Sequence, residues 1–194
     1  MRPFSNPVLH LRTFLATAAV LVGAASFAHA ATISYSAHLD GATEGTPSPG
    51  TGDATAVYDN VAHTLTVHCT FAGLLSNTTA SHIHAPTAVA GTGTAGVATT
   101  TPTFSGFPLG VMAGTYDKVL DLTLASSYNP AYVTANGGTT AGAEAALAQA
   151  LADGKSYWNI HTSQFPGGEI RGFLTPTPTP AEVQTWGYIK GFWH

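Results

Sequence analysis

Beyond residue 30 the chain alternates apolar and polar positions in short runs broken by Gly, Pro, Asn and Asp. Ile33, Tyr35, Ala37 and Leu39 interleave with Thr32, Ser34, Ser36 and His38, the period-two pattern of a strand that buries one face. After a Gly/Pro loop at residues 45–52, residues 54–58 and 64–71 read as an antiparallel hairpin turning at Asp59-Asn60. In the second run Leu65, Val67, Cys69 and Phe71 face one way, and Thr66, His68 and Thr70 the other. Further strands are expected at residues 81–84, 96–100, 116–124, 156–162 and 169–174. Residues 141–152 break the pattern: Ala143, Leu147 and Leu151 recur at helical spacing, and Gly154 stands where a helix would stop. The expected fold is therefore all-β, an antiparallel Greek-key-like β-sandwich of seven or eight strands with one short α-helix. A closed barrel is the other architecture the spacing allows.

The first thirty residues read as an export signal rather than as fold. Arg2 and Arg12 accompany an apolar run at residues 14–27, and Ala28-His29-Ala30 supplies small residues for cleavage. The run is shorter than the ~20 residues a spanning helix needs, and no later segment could span a bilayer. A secreted or periplasmic chain is expected, with the signal peptide at residues 1–30 and one domain at residues 31–174. Cleavage leaves Lys118, Lys155, Arg171 and Lys190 against ten acidic residues, a net charge of −6. Four scattered cations give no footprint for a phosphate backbone, which excludes nucleic acid as a partner.

Cys69 is the single cysteine, so no internal disulfide can form and Cys-rich zinc sites are excluded. It reads as a small buried hydrophobe. Residues 175–180, TPTPTP, form a stiff spacer. Residues 181–194 then gather Trp186, Tyr188, Phe192 and Trp193. That aromatic segment either packs back on the domain or attaches the chain to a membrane, a wall or a protein partner.

Three polar motifs stand out: Ser81-His82-Ile83-His84-Ala85-Pro86, Asn159-Ile160-His161-Thr162, and Pro166-Gly167-Gly168-Glu169-Ile170-Arg171-Gly172. In that order they resemble the CHRD domain, named after chordin and found in many exported bacterial proteins. The resemblance runs from about Ile33 to Leu174 and departs at Ala85, where the family commonly has Gly. It implies a secreted or periplasmic β-sandwich of mostly unassigned function. The growth-factor contacts of chordin itself belong chiefly to Cys-rich modules that this chain lacks, so that role does not carry over.

Strand parity adds a reading of its own. With Ile83 inward, His82 and His84 share the opposite face about 6.6 Å apart, two residues at ~3.3 Å rise. By the same parity His161, Glu169 and Arg171 face outward. On neighbouring strands these five residues would form one polar cluster. An H-x-H pair closed by a third imidazole is a ligand set for copper or zinc with a position left open. Glu169 would then hold a ring N–H from behind, and Arg171 would face an anion. The same residues also fit a purely structural hydrogen-bond network.

The order His82, His84, His161, Arg171 has a partial similarity to Cu,Zn superoxide dismutases. The chain departs from them in lacking a disulfide and a bridging His followed by a zinc-ligand cluster. No G-x-S-x-G nucleophile elbow is present, and Ser81 and His82 face opposite ways along a strand. The expectation is a non-catalytic binding or surface-associated module. The alternative is a copper or zinc protein for storage, delivery or redox work using His82, His84 and His161.

Overall fold

The computed structural model describes residues 32–177. The signal-peptide segment and residues 181–194, with the contacts expected of them, lie outside the described residues. The first expected strand is β1 (Thr32–Asp40), and the expected hairpin is realised as β2 (Thr51–Asp59) and β3 (Thr64–Ala72), followed by β4 (Thr78–His84), β5 (Gly114–Asp121), β6 (Tyr157–Thr162), β7 (Ile170–Phe173) and β8 (Thr175–Pro176). These strands pair antiparallel throughout the described residues. The strands run in the order β4-β6-β7-β1-β2-β3-β5, with β8 on β1. β7 touches β1 at the single pair Asp40–Arg171, and there the sheet folds over into two layers, β4-β6-β7 against β1-β2-β3-β5. The expected all-β sandwich is what forms.

Core formation follows the alternation. Leu65, Val67, Cys69 and Phe71 of β3 are buried, as are Tyr35, Ala37 and Leu39 of β1, while Ile33 at the strand end is exposed. Trp158 of β6 reaches across the layers, its ring 5.1 Å from Phe104 and 6.4 Å from Tyr116 of β5. Its indole N–H donates to Ser81 Oγ at 2.8 Å, which satisfies the one polar atom of a fully buried ring. Where β7 crosses β1, a Cβ at Gly172 would run into the His38 carbonyl oxygen, so only glycine lets the two backbones approach there.

Four departures from the expected elements bear on function. The helix read at residues 141–152 is α3 (Thr140–Ala152), but it is preceded by α1 (Gly41–Glu44) and α2 (Pro130–Ala135). Asp40 caps α1 by accepting from Thr43 N, and Asn129 caps α2 with Pro130 in its first turn. Residues 96–100 are not a strand; Val97 and Thr99 make single bridges to His84 and Tyr128. They belong to a long Gly-, Thr- and Pro-rich connection, residues 85–113, that folds over β4. Finally, the start of the Thr-Pro spacer is stitched to the domain: Thr175–Pro176 pairs with β1 and Thr177 N donates to Ser34 O at 2.8 Å. No helix among the described residues is long and apolar enough to cross a membrane.

Candidate functional site

β4 and β6 run side by side with His82 opposite Asn159 and Ala80 opposite His161. Alternation along both strands therefore brings His82, His84 and His161 to one face, as the sequence parity anticipates. One ring nitrogen from each lies within 4.8 Å of the other two, and no other such group of three or more His, Cys, Asp or Glu occurs among the described residues. The expected exposure of that face is not what forms. The 85–113 connection roofs the site, leaving His82 at 5% and His84 at 8% exposure, with His161 half-buried.

The roof and the β6–β7 connection fix the protons. His82 Nε2 donates to the Pro102 carbonyl at 2.6 Å, His84 Nδ1 to the Ala95 carbonyl at 2.9 Å, and His161 Nδ1 to the Pro166 carbonyl at 2.9 Å. A carbonyl only accepts, so each of these nitrogens carries the ring hydrogen. The remaining nitrogens, His82 Nδ1, His84 Nε2 and His161 Nε2, are bare lone pairs in neutral rings. Two of them, His82 Nδ1 and His161 Nε2, stand 3.3 Å apart with no hydrogen to share, and His84 Nε2 is buried without a partner. Burial pushes the His82 and His84 imidazoles down to about 4, and burial also lowers His161. All three rings are neutral at pH 7, the state that ligates metal.

The same face of β4-β6-β7 supplies a wall that sequence reasoning missed. Tyr157 stacks on His84 at 4.8 Å between centroids and 10° between planes. The Arg171 guanidinium lies 5.1 Å over the Tyr157 ring and 3.4 Å from Glu44. Asn159 sits between His82 and Arg171 in the cross-strand row, buried, with Oδ1 unpartnered. Parity two and four residues before His161 was the available signal for Asn159 and Tyr157. Arg171 belongs to this wall, where its contacts are Tyr157, Phe173, Glu44 and the Thr43 carbonyl.

Glu169 requires a correction. It is fully buried, and its carboxylate accepts from Ser48 Oγ, Leu75 N and Thr162 Oγ1, each at 2.6 Å. No ring N–H reaches it, because backbone carbonyls take all three. The parity argument fails here because Glu169 precedes β7, and Gly168 at φ +133° turns the chain just before it. A side chain at Gly168 would also collide with the Asn159 amide. The third motif thus reads residue by residue: Pro166 orients His161, Gly168 clears Asn159, Glu169 ties three segments together, and Gly172 lets β7 cross β1.

The other histidines stay apart from this site. His38 pairs with Asp53 at 2.9 Å and His68 with Asp117 at 2.6 Å on the exposed sheet face, contacts that contribute little. His63 meets Glu144 of α3 at 2.9 Å, and Tyr58 donates to the same carboxylate at 2.9 Å, which pins α3 to the β2–β3 hairpin.

Comparison with known families gives one match: the CHRD domain model covers residues 35–174, most of the chain and all three motifs. No curated protein and no solved structure matches the chain.

Proposed function

The chain belongs to the CHRD domain family, and from that premise we propose that it is an exported, non-catalytic binding module whose ligand is a copper or zinc ion held by His82, His84 and His161. One observation carries this reading: three bare imidazole nitrogens converge in a roofed site with no hydrogen among them. A structural network places a donor against each acceptor, and here every ring N–H points away, to Pro102, Ala95 and Pro166. Two nitrogens sharing one ion at bonds of ~2.0–2.1 Å stand about 3.3 Å apart at a tetrahedral angle and about 3.6 Å at a trigonal one, and His82 Nδ1 and His161 Nε2 are 3.3 Å apart.

The chain's own residues account for binding and positioning, and no group among the three motifs is arranged as a nucleophile beside a base. The carbonyls of Pro102, Ala95 and Pro166 orient the rings and set their tautomers, as partners behind metal-ligating histidines do. Tyr157 fixes the plane of His84. A bound ion would supply a Lewis-acidic centre, suited to storage or delivery.

Equilibrium dialysis of the mature chain against zinc and against copper, beside a His82→Ala/His84→Ala variant, tests the proposal. About one ion per wild-type chain, with none on a variant that keeps its far-UV circular dichroism, is expected. Equal uptake by both proteins would refute it.

A further inference from the structure

We infer that the three-histidine site selects monovalent copper over divalent zinc or copper, an inference that rests on the metal reading above and names the charge of the ion. Three features of the site lead there.

First, the ligand set carries no negative charge. Its members are three neutral imidazoles. The carboxylates that parity or packing brings near are engaged elsewhere: Glu169 with Ser48, Leu75 and Thr162, and Glu44 with Arg171. Cys69, the one thiol, is buried on β3 in the other layer. A bound ion would keep its full charge in a buried place. The cost of desolvating an ion rises with the square of its charge, so a divalent ion is penalised about fourfold more than a monovalent one.

Second, no net negative charge faces the ion from the surrounding wall. Arg171 lies over the ring that stacks on His84, and its charge is met by Glu44 at 3.4 Å. Zinc sites in proteins offset the ion with thiolates or carboxylates, or complete it with water; this site offers none of the first two.

Third, the site is largely covered, with His161 its half-buried member. His84 Nε2 has no solvent exposure, and the rings are roofed by residues 85–113. Zinc and cupric ions need a fourth or further ligand, whereas monovalent copper, with its lower charge, is stable with three. Imidazole suits copper and zinc alike, so charge and coordination number make the selection. Three imidazole nitrogens, two of them on buried rings, therefore match its coordination number as well as its charge.

The test uses the mature chain under anaerobic conditions. Bicinchoninate competes for cuprous ion, 4-(2-pyridylazo)resorcinol competes for zinc, and dialysis measures cupric ion. The expected result is one cuprous ion per chain, bound at least about a thousandfold tighter than either divalent ion, a ratio equivalent to about 4 kcal/mol. Silver(I), a redox-inert ion of the same charge, should bind and shift the ring resonances of all three histidines in a nitrogen-15 NMR spectrum. His161→Gln, at the half-exposed member, should weaken cuprous binding about a hundredfold or more with the fold intact. Zinc binding as tight as cuprous binding would overturn the charge selection while leaving the metal reading in place. Binding of none of these ions would overturn both.

Discussion

Replacing Glu169 by alanine removes a fully buried carboxylate that satisfies three donors at 2.6 Å, the Leu75 N–H and the hydroxyls of Ser48 and Thr162. The residue joins three chain segments distant in sequence, so the loss falls on the folded state as a whole. Leaving a buried donor unsatisfied costs about 1–3 kcal/mol. The hydroxyls can turn toward other acceptors, while the Leu75 N–H cannot, so the expected total is about 3–4 kcal/mol. Glu169→Gln keeps one acceptor for Leu75 and Ser48 and offers its amide to Thr162, whose oxygen also accepts. It should cost only about 1–2 kcal/mol. With a urea dependence of about 1.5–2 kcal/mol per molar for a domain of this size, the alanine variant's midpoint should fall by about 2 M and the glutamine variant's by under about 1 M. Urea unfolding followed by circular dichroism measures both. An alanine shift below about 0.5 M, or equal shifts for the two variants, would refute the assignment of Glu169 as a three-donor tie.

Three further predictions concern the fold and its titration. In metal-free protein the His82 and His84 rings titrate near 4, below the ordinary value of 6.5, so the unfolded chain binds more protons in between. Stability should be full above about pH 6.5 and fall as the pH drops toward about 4, by on the order of 3 kcal/mol per ring; urea midpoints at pH 7 and pH 4.5 check this, and a flat profile would contradict it. Gly172→Ala should destabilise the domain by about 3 kcal/mol or prevent folding, because its Cβ meets the His38 carbonyl, and a midpoint like the wild type's would show that the β1–β7 crossing is looser than described. Cys69 is fully buried and its thiol is pushed up to about 12 by burial, so it should resist Ellman's reagent at pH 8 until denaturant is added; prompt reaction in the native protein would contradict its burial.

The elements legible in the sequence were those whose alternation survives burial on one side only. β1, β2 and β3 bury Tyr35, Ala54 and Val67 and expose their neighbours, so period two was visible. β4 and β6 are covered on both faces; their neighbours His82, Ile83 and His84 are all buried, and parity could tell which residues share a face but not that the outer face would be roofed. The roof was illegible because Gly, Thr and Pro mark a loop without saying where it lands. Residues 96–100 resembled a strand because their Val and Thr are β-formers, yet they make only single bridges. α2 was missed because a six-residue helix carries too little periodicity, although Asn129-Pro130 is its start signal. The three histidines were correctly brought to one face. Glu169 was not, because glycine at positive φ reset the phase one residue earlier.

The central claim is that His82, His84 and His161 hold a metal ion. The most direct measurement is plasma mass spectrometry of the mature protein, purified from its natural compartment without an affinity tag or added metal. The account predicts about one equivalent of copper or zinc per chain. Metal content well below about a tenth of an equivalent, unchanged after incubation with cuprous ion and with zinc, would contradict it and leave the three rings as structural members of the sandwich.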